Sequence, residues 1–178
     1  MTIFKMLPKI LFLNLMIILA GFSSNEQTEA QEYDLKAAYI YNITKFIYWD
    51  SYIPGPEFII GIIDSSPILE PLEKIAKTKT VMNKKIIIKQ FTKLEEIDNC
   101  TILFIPKNTA VSLKEILAIT KSKKILTISE KEGYGKKGSA INFVTIDDKL
   151  KFEVNTKTLE NSGLKASAQF LKLAVIIE

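Results

Sequence analysis

The chain has 178 residues, of which 47% are hydrophobic and 25% are charged, and this suits one globular domain with its own core. All 24 basic residues are lysine, because the sequence contains no arginine and no histidine. This excludes imidazole metal sites, histidine-activated nucleophiles and guanidinium clamps on phosphate. The net charge of +4 comes from lysines interleaved with acidic residues, which argues against a nucleic-acid-binding surface.

The N-terminal segment has the layout of a secretory signal. Two lysines precede an apolar run over residues 10–22, and a polar stretch rich in small residues follows. The run is shorter than the roughly 20 apolar residues of a membrane-spanning helix. We therefore expect residues 1–30 to be a cleaved signal peptide and residues 31–178 to be one exported domain without stable membrane insertion. Cleavage near Ser23 or Ser24 is the alternative.

The exported domain begins with a predicted helix over residues 35–47, with Asp34 as its N-cap. Strands and helices then alternate along the chain. The predicted strands cover residues 58–63, 86–88, 101–105 and 125–128. The predicted helices cover residues 68–76 and 111–119, with a short helix after Thr92. Such alternation predicts a mainly parallel sheet with crossover helices.

The pattern changes in the last 40 or so residues. Residues 141–146 and 150–154 flank a tight polar turn at Asp147 and Asp148, which predicts an antiparallel hairpin. Gly163 then precedes a predicted final helix. Its apolar stripe consists of Leu164, Ala168, Leu171 and Val175. Together the elements predict an α/β fold: a three-layer sandwich with a mainly parallel central sheet of about six strands, an antiparallel hairpin at one edge and helices on both faces.

Two sequence features that resemble reactive or cofactor sites have simpler interpretations. Cys100 is the only cysteine, so an intramolecular disulfide is excluded, and its apolar surroundings predict a buried thiol. Gly133, Gly135 and Gly138 match the dinucleotide fingerprint, but the strand predicted next stands where that site needs a helix. We therefore expect no catalytic residues, no cofactor and no metal site.

A ligand crevice is a further candidate. Asp64 and Ser65 follow the first strand of the predicted sheet, and Asn108 follows the third. In doubly wound sheets, ligands bind beyond the carboxyl ends of the strands. These three residues are therefore candidates for a small-ligand site. A helix cap and an ordinary turn are the alternative interpretation.

Aromatic residues are concentrated in the first predicted helix and just beyond it. Tyr39, Tyr41 and Trp49 belong to this cluster, and the helix is apolar on nearly all sides. Either the helix is enclosed in the core, or it presents an aromatic patch to a partner. The sequence leaves both alternatives open.

Several segments, taken in order, resemble the YfiR-like family of exported bacterial regulatory proteins. They are KAAYIYNITKFIYW at 36–49, NCTILFI at 99–105, ILTISE at 125–130, GSAINFV at 138–144, FEVN at 152–155 and GLKASAQFLKLA at 163–174. The resemblance covers nearly all of the exported domain. Ser139 stands where the family often has a second glycine.

The resemblance implies a periplasmic α/β domain without catalytic activity. Such a domain binds the periplasmic domain of a membrane signalling protein, in the best-known branch a diguanylate cyclase, and so lowers cyclic-di-GMP output and restrains biofilm formation. Because this chain has one cysteine, redox control through intramolecular disulfides is not part of the expectation.

We expect partner contact through the aromatic first helix, or through the loop from Glu132 to Gly138 and the adjoining sheet edge. The candidate residues are Tyr39, Tyr41, Trp49, Glu132, Gly133, Tyr134 and Gly138. A homodimer is a second expected assembly. The alternative function is small-ligand binding in the crevice. An enzyme would have to rely on lysine, carboxylate or serine side chains alone, with no cluster of them evident.

Overall fold

The computed structural model describes residues 27–49, 53 and 55–177. The predicted signal peptide lies outside these residues except for 27–30, which are helical. They belong to helix α1, which covers residues 27–43. Asp34 therefore lies inside this helix, and the prediction that it forms the N-cap was wrong. None of the described helices is long and apolar enough to span a membrane.

An eight-stranded sheet forms the centre of the described chain. Its strands are β2 (Glu57–Ile63), β3 (Thr80–Val81), β4 (Lys84–Phe91), β5 (Ile102–Ile105), β6 (Leu126–Ser129), β7 (Ile141–Ile146), β8 (Lys149–Asn155) and β10 (Val175–Ile177). Their order in the sheet is β10-β8-β7-β6-β5-β2-β4-β3. All neighbours are parallel except the pairs β7 with β8 and β3 with β4. A separate antiparallel pair joins β1 (Ile47–Trp49) to β9 (Leu164–Ala166).

Four short helices and one 3₁₀ helix connect the strands. They are α2 (Leu69–Ala76), the 3₁₀ helix (Leu94–Asn99), α3 (Leu113–Ser122), α4 (Thr156–Asn161) and α5 (Ala168–Leu171). Side-chain caps fix several of their starts, because a polar side chain accepts a hydrogen bond from a free helical amide. The Ser112 hydroxyl accepts from the amide of Glu115, and Asn155 and Ser167 cap α4 and α5 in the same way.

Alternate residues of the central strands feed two separate core clusters. In β5, Ile102 and Phe104 join a cluster that includes residues of α1 and α2. Leu103 and Ile105 join a cluster that includes residues of α3 and the 3₁₀ helix. Because successive side chains of a strand point to opposite faces, the two clusters lie on opposite faces of β5.

The predicted mixed, mainly parallel α/β fold is confirmed, but three features of the prediction were wrong. The sheet has eight strands rather than about six, and the β7–β8 hairpin is not at its edge because β10 pairs with β8. The final helix is replaced by β9, the one-turn α5 and β10. Val175, Ile176 and Ile177 are β-branched, and this favours a strand over the predicted helix.

Candidate functional site

The loop between β6 and β7 contains four of the predicted interface residues. Gly133 and Gly138 have φ of +76° and +106°, a backbone region that side chains disfavour. The Ser139 amide donates to the carbonyl of Tyr134 at 2.9 Å, so residues 131–139 form a hydrogen-bonded turn. Glu132 is exposed, but Tyr134 is only 8% exposed and packs in the second core cluster. The Tyr134 ring is therefore part of the core, and a partner could contact it only if the loop rearranged.

The predicted aromatic residues of the first segment are half-buried. Tyr39 packs against the rings of Phe143 and Phe152, with centroid distances of 6.2 and 5.8 Å. Trp49 lies on β1 and meets Phe58 edge-on at 5.8 Å. Tyr41 also packs against the first core cluster. These contacts favour the enclosed-helix alternative over an aromatic patch on α1.

A buried ion pair connects α1 to the end of β6. The amine of Lys36 lies 2.5 Å from a carboxylate oxygen of Glu130, and the two side chains are 4% and 1% exposed. The hydroxyl of Tyr33 and the backbone amide of Lys107 donate to the other oxygen of Glu130, each at 3.2 Å. Burial, and secondarily the Glu130 charge, raise the pKa of the Tyr33 hydroxyl. Glu32 is a second partner of Lys36, at 2.5 Å.

A cavity of about 380 Å³ adjoins this ion pair. Its walls come from α1, the loop after β6 and the β7–β8 hairpin, and they include Glu132, Gly133 and Glu153. The Glu153 carboxylate accepts a hydrogen bond from the side-chain Nδ2 of Asn142 at 3.0 Å. Among the residues that the structure describes, no group of three or more Cys, Asp or Glu side chains is arranged to hold a metal ion.

The most exposed apolar surface near this loop is at the C-terminal end of the described chain. Leu173, Val175 and Ile176 are all exposed, and we call this set the C-terminal edge. Within the described chain β10 pairs only with β8, so its outer side forms one border of the sheet. Gly135 packs closely on this strand, because a Cβ placed on it would lie 2.6 Å from the Cδ1 of Ile177. The loop after β6 and the C-terminal edge are therefore adjacent.

The three predicted crevice residues do come together. Asp64, Ser65 and Asn108 line one open crevice of about 690 Å³ beyond the carboxyl ends of β2 and β5. The chain leaves β2 toward β4 on one side and β5 toward β6 on the other. This is the topological switch point of the sheet, where ligands bind in doubly wound folds.

Comparison with known proteins decides the family. A model described as YfiR/HmsC-like matches residues 33–175, which is most of the chain. The chain belongs to the YfiR/HmsC-like family. This confirms the resemblance seen in the sequence, and the family is regulatory rather than catalytic, periplasmic, and associated with the control of diguanylate cyclases. No curated protein matches the chain.

In this YfiR/HmsC-like domain, two features were not predicted from the sequence. The Lys36–Glu130 pair joins residues 94 positions apart, and no local pattern indicates such a contact. The C-terminal edge was not predicted, because the apolar spacing of Leu171 and Val175 matched the stripe of a helix. The run of β-branched residues at 175–177 was the available signal for a strand.

Proposed function

We propose that this protein is a non-catalytic periplasmic regulator that binds the periplasmic domain of a membrane signalling protein and restrains its output. The partner is of the diguanylate cyclase or sensor kinase type, so that the protein lowers cyclic-di-GMP or a related signal. In this proposal residues 1–30 are the export signal and residues 31–178 the exported domain. The observation that carries the proposal is the family match over residues 33–175.

The C-terminal edge is the partner surface that the geometry favours. Its apolar side chains are exposed beside the border strand of the sheet, and such strands accept an added strand from a partner through backbone hydrogen bonds. Glu132 and Gly133 lie on the neighbouring loop, so they can extend the same surface. By contrast, Tyr39 and Trp49 are committed to core contacts.

Site-specific photo-cross-linking in the native cells tests the proposal. A photoreactive residue replaces Ile176 in the full-length protein. In the matched control it replaces Met82, which is 53% exposed compared with 45% for Ile176 and lies at the turn beside the opposite border of the sheet. We expect position 176 to cross-link one membrane protein that has a periplasmic domain, and position 82 to cross-link none.

Equal cross-linking from both positions, or none from position 176, would contradict the proposed surface. A product consisting of two copies of this chain would instead assign the C-terminal edge to a homodimer. An Ile176→Asp variant adds a functional measurement. It should raise cellular cyclic-di-GMP if the partner is a cyclase, whereas Met82→Asp should not, and both variants should keep the circular dichroism spectrum of the parent.

A further inference from the structure

Asp64 joins three segments of the chain at the crevice beyond β2 and β5. Its amide donates to the carbonyl of Phe91 at 2.8 Å, and its own carbonyl accepts from the side chain of Gln90 at 3.0 Å. One carboxylate oxygen, Oδ2, accepts from the hydroxyl of Thr109 at 2.5 Å and from the amide of Ala110 at 3.1 Å. These bonds hold the ends of β2, β4 and β5 in a fixed arrangement.

The backbone of Asp64 is in the left-handed region, with φ of +59°. Aspartate adopts this conformation more readily than most non-glycine residues, and the hydrogen bonds of Asp64 hold it there. Oδ1 of Asp64 makes no hydrogen bond within the described chain. One acceptor therefore stays available on a carboxylate that is otherwise rigidly held.

The lining of the crevice has a distinct chemistry. Its other side chains are mainly neutral hydrogen-bonding groups, namely Ser65, Ser66, Gln90, Thr92 and Asn108. Among the described residues that line it, Asp64 is the only ionisable one, and no lysine contributes. A bound anion would therefore meet a carboxylate without a compensating cation.

We propose that this crevice binds a neutral, hydroxyl-rich ligand: a saccharide, either free or as a unit of a glycan. Oδ1 of Asp64 accepts a hydrogen bond from one sugar hydroxyl, and the side-chain amides of Asn108 and Gln90 form hydrogen bonds with the neighbouring hydroxyls of the sugar. The volume of about 690 Å³ lies within the range of small-molecule sites and admits a mono- or disaccharide. This inference goes beyond the regulatory function and gives the regulator an effector site. It does not depend on the identity of the membrane partner.

Titration of the purified protein, produced from its full-length gene, tests this proposal by NMR. The probes are glucose, N-acetylglucosamine and its β-1,4-linked disaccharide, with citrate and phosphate as anionic probes. We expect saturable binding of at least one sugar with a dissociation constant on the order of 1 mM or tighter, and weaker binding of both anions. Binding of the disaccharide alone would indicate a glycan as the source, and binding of glucose as well would indicate a free sugar.

Asn108→Ala should weaken sugar binding at least tenfold, because it removes one of the proposed hydrogen bonds to the sugar. The fold should be unaffected, because Asn108 is exposed and its loss leaves the Asp64 bonds intact. The matched control is Asn161→Ala, another exposed asparagine, on α4, which should bind like the parent. Absence of binding by all three sugars, tighter binding of citrate, or equal affinities of the two variants would overturn the proposal. Because this titration contains no partner, its failure is separate from failure of the cross-linking at Ile176.

Discussion

Breaking the buried pair of Lys36 and Glu130 should strongly destabilise the protein. The two charges are 2.5 Å apart and almost fully shielded from solvent. Removing one partner of a buried pair costs roughly 3–5 kcal/mol, because the other charge stays buried without compensation. Lys36→Met leaves Glu130 only the Tyr33 hydroxyl and the Lys107 amide, so we expect the whole of that cost. Glu130→Gln leaves Lys36 its contact with Glu32, and we expect about 2–3 kcal/mol.

Urea unfolding of the full chain measures these changes. The double variant Lys36→Met/Glu130→Leu removes both charges, so its cost should be well below the sum of the single costs. The matched control is the exposed pair of Lys74 and Glu70, whose charges are 2.9 Å apart. Lys74→Met should leave stability nearly unchanged, because solvent screens that pair. Additive effects at Lys36 and Glu130, or single costs as small as that of Lys74→Met, would refute the reasoning.

Further predictions concern three residues of the core, Cys100, Tyr33 and Gly61. Burial raises the pKa of the Cys100 thiol to about 12, so the native thiol should react with a disulfide reagent far more slowly than in urea, and equal rates would contradict this. Cysteine in the unfolded chain has a pKa of about 8.5, so the neutral Cys100 thiol contributes its full stabilisation of the folded protein below that pH and loses it as the pH rises further. The Cys100→Ala variant should therefore lose less stability than the parent between pH 8 and 10. The pKa of Tyr33 is also raised, so the folded protein should lose stability as the pH rises above about 10, the pKa of tyrosine in the unfolded chain. In urea titrations the Tyr33→Phe variant should lose less stability than the parent over that alkaline range. Gly61→Ala should cost about 1–3 kcal/mol, because its Cβ would collide with the Phe91 ring and lie 3.2 Å from the Cys100 sulfur; unchanged stability would show that the ring moves aside freely.

The central strands were predictable because short runs of apolar residues in the local sequence indicate buried strands. β5 is a continuous apolar run and β2 is one after Glu57, the pattern of strands covered on both faces. In β6, Leu126 and Ile128 alternate with the small hydroxyl residues Thr127 and Ser129, and all four are buried. β4 was predicted as only three residues, 86–88, whereas it covers Lys84–Phe91. Its lysines and glutamine interrupt the apolar run, because β4 lies next to the short border strand β3 and keeps polar side chains in solvent.

The C-terminal region was not predictable from local patterns, because its structure depends on distant pairings. β9 pairs with β1, whose residues lie more than 100 positions earlier, and β10 adds to β8. The β-branched run at 175–177 favours a strand, but the preference of so short a segment is weak, so these contacts decide between helix and strand. The crevice residues were found for the opposite reason. The carboxyl ends of neighbouring parallel strands lie side by side, so the residues that follow β2 and β5 meet there regardless of how the C-terminal region folds.

The loop over residues 106–110 contacts both candidate sites. The amide of Ala110 holds the Asp64 carboxylate at the crevice, and the amide of Lys107 holds Glu130 at the other end of the same loop. Glu130 leads directly into the loop after β6, whose Gly135 packs on β10 beside the C-terminal edge. Every step of this route is a direct contact, so a shift of residues 106–110 must disturb the crevice and the Glu130 cluster together. Such a shared element offers a physical route between the proposed effector crevice and the proposed partner surface. A ligand in the crevice would use it only if it bound two arrangements of residues 106–110 with different affinities.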